Sequence, residues 1–455
     1  ILTEFYEEDE YTIDGDAVKL ALIPERLRGE TLSVDIKVKN KVYVNAGRRI
    51  TARHIKELEK SKVSQISLDE EFLFGKVTSK DVINTETGEV LVPANTVIEK
   101  DVLDAFKENG IGVFHYHDQV IHEPGTLKTK TGNNFSVYSP FKRKWFEELR
   151  DEQLQILDVP LKKKEMTCEQ TDLFTYLDEF SHEFADQWPA GEEYIQNYIS
   201  EFLKIKGASY KQERNFPAID ATAKLSPYIN AGIVSSKWCL VKAKEFNNDI
   251  LDDGDKGIVH WVSEILWREF YRHIIYNFPK VSMGKPFISN TSNIKWNIDE
   301  SALNRWKKGE TGIPIVDAGM REMNETGWMH NRLRMITAMF LSKNLLINWQ
   351  EGEKYFMENL VDGDIASNNG GWQWSASTGT DAAPYFRIMN PETQSLRFDP
   401  KGEYIKFWIP ELKDCPISEI HMPSEPEKYG YFKPLVDLKI SRQKAIEAFQ
   451  DLKNL

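Results

Sequence analysis

The sequence predicts a mainly α fold in which a long helical body follows a small α+β module. Three observations predict it. All 12 tryptophans fall after residue 112, beginning with Trp145, so the chain changes vocabulary there. From Trp145 onward, amphipathic stretches such as 196–206 and 327–348 alternate with Gly, Pro and Asn punctuation, the pattern of helices joined by loops. Ahead of the change, one pattern occurs twice at a spacing of 48 residues. The chain therefore divides into a module over 1–112, a junction and connector over 113–144, and a helical domain over 145–455.

In the module, Val44-Asn45-Ala46-Gly47-Arg48-Arg49-Ile50-Thr51 leads into a stretch with Ile55, Leu58 and Val63 on one side. Val92-Pro93-Ala94-Asn95-Thr96-Val97-Ile98 leads into another, with Leu103, Phe106 and Ile111 in matching places. Apolar residues at i, i+3 and i+8 keep to one helical face, so each copy reads as strand, turn, helix. Thr51 suits the N-cap of the first helix, with Ile50 as a hydrophobic staple. The words Pro24-Glu25-Arg26-Leu27-Arg28-Gly29-Glu30-Thr31 and Gly47-Arg48-Arg49-Ile50-Thr51-Ala52-Arg53-His54-Ile55 resemble a lobe-region segment of the bacterial RNA polymerase β subunit. That resemblance covers about 1–112 and implies an RNA polymerase-related contact, with no active-site residue. A solvated face accounts equally well for Arg48, Arg49 and Arg53.

With 455 residues, 41% hydrophobic and 28% charged, the chain reads as a soluble globular protein with more than one core. Its apolar runs are broken well before the roughly 20 residues a membrane span needs, so no membrane partner is expected. Residues 1–10 are acidic where a secretory segment is basic and then apolar. Cys168, Cys239 and Cys415 lie far apart and form no CxxC pattern, which argues against a metal site or disulfide framework. That usage fits a reducing bacterial cytoplasm. The net charge of −13, with 16 Lys and Arg against 22 Asp and Glu in residues 1–112, disfavours a broad basic surface. Nucleic acid would need a local basic patch on an acidic body. No GxGxxG or Walker loop is present, so a nucleotide would be held by another geometry.

Three stretches of the helical domain carry chemistry. At about 100° per residue, Trp261, Glu264, Trp267, Arg268 and Tyr271 share an arc of about 120°. That face offers flat aromatic surface, a carboxylate and a guanidinium, which suits a nucleobase gripped by stacking and hydrogen bonds. A core stripe with Glu264 paired to Arg268 at i+4 would read the same way. Asp362-Gly363-Asp364-Ile365-Ala366-Ser367-Asn368-Asn369-Gly370-Gly371-Trp372-Gln373-Trp374 supplies acceptors and donors for a heterocycle edge and sugar hydroxyls. An ordinary inter-helix loop has a similar composition. Gly327-Trp328-Met329-His330-Asn331-Arg332-Leu333-Arg334-Met335 opens a helix with two arginines and an amide that could reach phosphates, or that simply charge the surface.

Together, the words TGWMHNRLRM, ASNNGGWQW and STGTDAAPYFRIMNP resemble the cyclobutane pyrimidine dimer photolyases of the photolyase/cryptochrome superfamily, over about residues 116–455. The resemblance implies an all-helical domain holding folded FAD at Tyr210, Thr222, Ala223, Lys224, Leu225, Ser226, Trp261, Asp362, Gly363 and Asp364. Lys224 stands where an arginine is common. Asn368 falls beside flavin N5, and Trp372, Trp349 and Trp296 match a tryptophan relay to the surface. Glu264 and Trp267 fall at the dimer, while Arg214, Arg268, Tyr271, Asn331, Arg332, Arg334 and Arg387 suit the damaged strand of DNA. The implied activity is light-driven repair by electron transfer to a flipped-out dimer, with no metal. A cryptochrome-type photoreceptor, or a transcription-associated module with an inert flavin domain, would share these residues. The family's N-terminal α/β antenna domain is missing except for its last strand, Val113-Phe114-His115-Tyr116, so no antenna chromophore is expected.

Overall fold

In this computed structural model the chain forms two compact units, 1–134 with 155–163, and 135–154 with 164–455. The structure describes residues 119–156, 187–189 and 191–452, together with strand segments and some flanking positions within 11–99.

The strands of the first unit are β1 (Tyr11–Asp14), β2 (Ala17–Ala21), β3 (Ile36–Val38), β4 (Lys41–Val44), β5 (Gln65–Leu68), β6 (Val82–Ile83) and β7 (Val90–Val92). They pair antiparallel as β1-β2-β5, β3-β4 and β6-β7. The internal repeat is visible in the burial. Val44 and Val92 are buried at the ends of their strands, and Ile50 and Ile98 are buried six residues later in each copy. Leu58 is buried as the amphipathic spacing requires. Thr51 caps as expected: its Oγ1 accepts from the His54 N–H at 3.4 Å, and its own N–H donates to His54 Nδ1 at 3.2 Å. The matching helix around Leu103, Phe106 and Ile111 and the strand Val113–Tyr116 lie outside the described residues.

The second unit is helical. Its α-helices among the described residues begin with α1 (Tyr138–Glu148), α2 (Glu192–Lys206), α3 (Tyr210–Glu213), α4 (Ser226–Asn230), α5 (Ser236–Phe246) and α6 (Lys256–Asn277). There follow α7 (Glu300–Lys308), α8 (Pro314–Thr326), α9 (Asn331–Met339), α10 (Trp349–Asn359) and α11 (Ile365–Ala376). The last are α12 (Pro391–Phe398), α13 (Glu403–Trp408) and α14 (Leu438–Asp451). The core gathers Trp306, Met320, Leu333, Phe340, Trp349, Phe356, Trp372 and Ile405 from α7 to α13.

Side-chain caps set several boundaries. Asp255 accepts from the Gly257 and Ile258 N–H groups to start α6, and Asp364 accepts from Ser367 to start α11. The sequence suggests one helix over 327–348, and the structure breaks it. Gly327 adopts φ 68° as the left-handed end of α8, His330 caps α9, and the chain then widens into a π-turn over Phe340–Asn344.

Two glycines set how closely helices approach. A methyl on Gly352 would lie 2.0 Å from Cη2 of Trp372, and one on Gly370 would lie 2.1 Å from Cδ1 of Tyr271. Gly370 thereby brings α11 against α6. Gly370→Ala is expected to cost about 1–3 kcal/mol through overpacking, read as a lower Tm. An unchanged melting curve would contradict this packing.

Candidate functional site

Helix α6 forms one wall. Trp261 is buried at 3% exposure, while Glu264, Trp267, Arg268 and Tyr271 are half-buried along the face the spacing predicts. Glu264 pairs with Arg214 at the end of α3, not with Arg268 along its own helix. Burial opposes the charge of the Arg214 guanidinium, but the Glu264 carboxylate more than offsets it, so the arginine is held above its usual range. Arg214 also lies 5.5 Å over the Tyr210 ring, and His260 Nε2 stands 3.9 Å from Glu264. Arg268 donates to Ser236 Oγ at 3.2 Å. The Trp267 indole stacks on Tyr138 and leans on Tyr271, whose ring is 5.7 Å away and tilted by 34°.

The second wall joins α4, α9 and the loop before α11. Asp362 accepts from Ser226 Oγ at 2.5 Å and from Arg334 at 2.8 and 3.0 Å, while its carbonyl accepts from Asn230 at 2.7 Å. Arg334, placed by the sequence on the damaged strand, is thus committed to Asp362, and its Nε donates to the Met329 carbonyl. Asp364 pairs with Arg272 at 3.0 Å and so ties α11 to α6. Sequence reasoning passed over Arg272, although it follows Glu264 and Arg268 at i+8 and i+4 on the same helix.

Other expected positions are distributed around these walls. Ala223 and Leu225 are buried, Thr222, Ser226 and Gly363 are half-buried, and Lys224 is exposed with φ 47°. The Lys224 ammonium lies 5.1 Å from the Trp328 ring. Asn368 Nδ2 donates to the Glu353 carbonyl at 2.9 Å, and Asn369 donates to the Glu353 carboxylate at 2.7 Å. Burial raises the Glu353 carboxyl above its usual range. Trp349 and Trp372 belong to one core cluster with Trp296 packed against it; Trp372 also meets Phe356 at 4.9 Å and Trp306 at 6.0 Å.

A cationic edge lies beside the first wall. Arg332 donates to Asn215 at 2.5 Å and covers the Phe398 ring at 4.3 Å, with Arg397 5.0 Å from the same ring. Burial, then Arg214 and Arg397, lower the pKa of Arg332. Asn331 and Arg387 are exposed. Arg397 and Phe398 carried no signal in the sequence, since they reach Arg332 only through the fold.

The donor set fits a flavin dinucleotide. Asp362 and Asp364 are carboxylates aligned by arginines, Lys224 and Arg334 supply positive charge, and Asn368 supplies an amide. Buried donors remain unmet at His330 Nε2, Arg332 Nε and Trp372 Nε1. Burial, then Arg332, Arg214, Arg334 and Lys224, push His330 down to about 3, so at neutral pH its ring is uncharged with one N–H to donate. Buried donors without acceptors are costly unless a ligand satisfies them. Among the described residues no group of His, Cys, Asp and Glu could hold a metal ion, and no helix is long and apolar enough to cross a membrane.

The helical unit shares its fold with photolyases and a cryptochrome. Residues 261–451 match the pattern of the FAD binding domain of DNA photolyase, and residues 90–161 match the DNA photolyase pattern, so family similarity reaches back ahead of residue 112. The chain is 41% identical over 342 residues to the deoxyribodipyrimidine photo-lyase of Escherichia coli, covering 74% of this chain and 72% of that protein. It is 42% identical over 342 residues to the one of Salmonella typhimurium, with the same coverage. A bacterial class III photolyase from Agrobacterium tumefaciens superposes with a TM-score of 0.69 at 34% identity, covering 78% of this chain and 76% of that one. A Synechocystis cryptochrome gives 0.59 at 26% identity, with coverage of 72% and 71%. The chain belongs to the DNA photolyase family.

Proposed function

We propose that this chain is a deoxyribodipyrimidine photo-lyase, which uses light to reverse cyclobutane pyrimidine dimers in DNA with FAD as its resident cofactor. The observation that carries this reading is the meeting of the two walls. The Arg272–Asp364 pair and the Gly370–Tyr271 contact bring the Glu264, Arg214 and Trp267 face next to the Asp362 and Asp364 cluster. Bound there, a reduced flavin would supply the light-excited electron that splits the cyclobutane ring and would take it back once the two pyrimidines separate.

The protein's part is to bind, orient and exclude water. Asp362 and Asp364, set by Arg334 and Arg272, offer acceptors for sugar and heterocycle N–H and O–H groups. Lys224 serves the pyrophosphate while Ser226 steadies Asp362, and Asn368, its Nδ2 given to Glu353, presents its amide oxygen to the isoalloxazine edge. Tyr210, Thr222, Ala223, Leu225, Trp261 and Gly363 complete the walls. On the lesion side Glu264 accepts hydrogen bonds from the pyrimidine edge while Arg214 fixes its position, and Trp267 supplies a flat surface. Asn331, Arg332, Arg268 and Arg387 line the strand, with Tyr271 behind Trp267. Such a local cationic edge lets an acidic protein of net charge −13 hold DNA phosphates.

Trp372, Trp349 and Trp296 would form a relay of oxidisable rings through which an external reductant at the surface could return an electron to a bound, oxidised flavin. Trp296→Phe should slow photoreduction of oxidised flavin and spare repair by flavin already reduced; an unchanged photoreduction rate would remove Trp296 from the relay. Because residues 1–89 lie outside both matched photolyase patterns, this reading assigns light capture to the flavin alone. Their polymerase-like words add no residue to the chemistry. The test of function is illumination with a dimer-containing oligonucleotide: light-dependent loss of dimers supports repair, and its absence in flavin-loaded protein favours a photoreceptor.

A further inference from the structure

Helix α1 contributes nothing to the flavin cluster, yet its first residue reaches the wall assigned to the lesion. Tyr138 lies face to face with Trp267, with ring centroids 3.7 Å apart and planes 11° from parallel. The phenol is anchored at both ends. Its hydroxyl donates to the Ser263 carbonyl at 2.7 Å, and its backbone N–H donates to Asp381 at 3.1 Å. One turn on, Lys142 Nζ donates to Ser263 Oγ at 2.5 Å, which keys the same face of α1 to α6 beside Glu264. Tyr138 is buried at 7% exposure, whereas Trp267 is half-buried. The phenol therefore covers one face of the indole and holds it still. An indole free to turn would have to give up that motion on binding, and a held one does not.

We propose that Tyr138 is a positioning residue for lesion recognition: it backs Trp267 so that the indole's other face is presented, already oriented, to the flipped-out pyrimidine dimer. The proposal rests on the repair reading above. It makes dimer recognition depend on a helix that begins within the connector, 129 residues ahead of the tryptophan it serves. The hydroxyl contributes by anchoring, but the flat ring does the backing, so phenylalanine should substitute and an aliphatic residue should not.

The test uses the full-length, flavin-loaded protein and measures its preference for a dimer-containing over an undamaged oligonucleotide. Tyr138→Leu should lower that preference about 3- to 10-fold, the range of one aromatic stack, with flavin absorption unchanged. Tyr138→Phe should retain it. In a Trp267→Leu background, Tyr138→Leu should cause no further loss, since a residue acting through Trp267 has nothing left to act on. Should Tyr138→Leu fail to fold with flavin, Tyr138→Ile carries the same comparison. Full preference in the aliphatic variant, equal losses for Phe and Leu, or additive losses in the double variant would each overturn the proposal alone. A wild-type protein with no preference for dimers would overturn the repair reading and this proposal with it.

Discussion

Glu264→Ala is expected to lower dimer repair by about 30- to 100-fold while leaving flavin bound. The carboxylate does two things at once: it offers acceptors to the lesion and it neutralises Arg214, whose side chain is only 12% exposed. Truncation leaves that guanidinium buried without its partner. A lost charge-assisted hydrogen bond of about 2–2.8 kcal/mol corresponds to the stated range. Repair rate per bound flavin is the readout. Glu264→Gln, which keeps an acceptor and loses the charge, should fall between wild type and alanine. A wild-type rate in the alanine variant would remove Glu264 from the lesion site.

Asp362→Ala is expected to yield protein that purifies without flavin and melts at a lower temperature. Its side chain is 3% exposed and organises Ser226 and Arg334 from two separate helices. Removing one partner of a buried pair costs about 3–5 kcal/mol because the other charge stays behind. The Arg334 side chain is 25% exposed, so solvent screening places the loss toward the lower end. The measurement pairs the flavin absorption of the purified variant with its melting curve. A yellow variant of wild-type stability would show that Asp362 neither holds the cofactor nor joins the two helices.

The helical class, the face of α6 and the repeat in the first unit were legible in the sequence because each rests on periodicity, which a linear chain displays directly. The cap at Thr51 was equally local. What the sequence could not reveal was partnership across distance. Glu264 has a plausible partner four residues on in Arg268, and only the fold brings Arg214 to it from 50 residues away. Arg334 reads as a free cation beside Arg332, yet the turn after His330 directs the first to Asp362 and the second to Asn215. Tyr138 lies 125 residues from the Ser263 carbonyl that anchors it, and nothing in its neighbourhood suggests a lesion site. The π-turn after α9 has no composition signal, since Phe340–Asn344 would continue a regular helix by propensity.

The helical unit is proposed to hold a flavin beside the wall that receives a flipped-out pyrimidine dimer. The most direct test is the absorption spectrum of the purified protein, followed by illumination with dimer-containing DNA. The account predicts a flavin spectrum and dimers that disappear in the light and persist in the dark. A folded protein that is colourless and takes up no added FAD would contradict it.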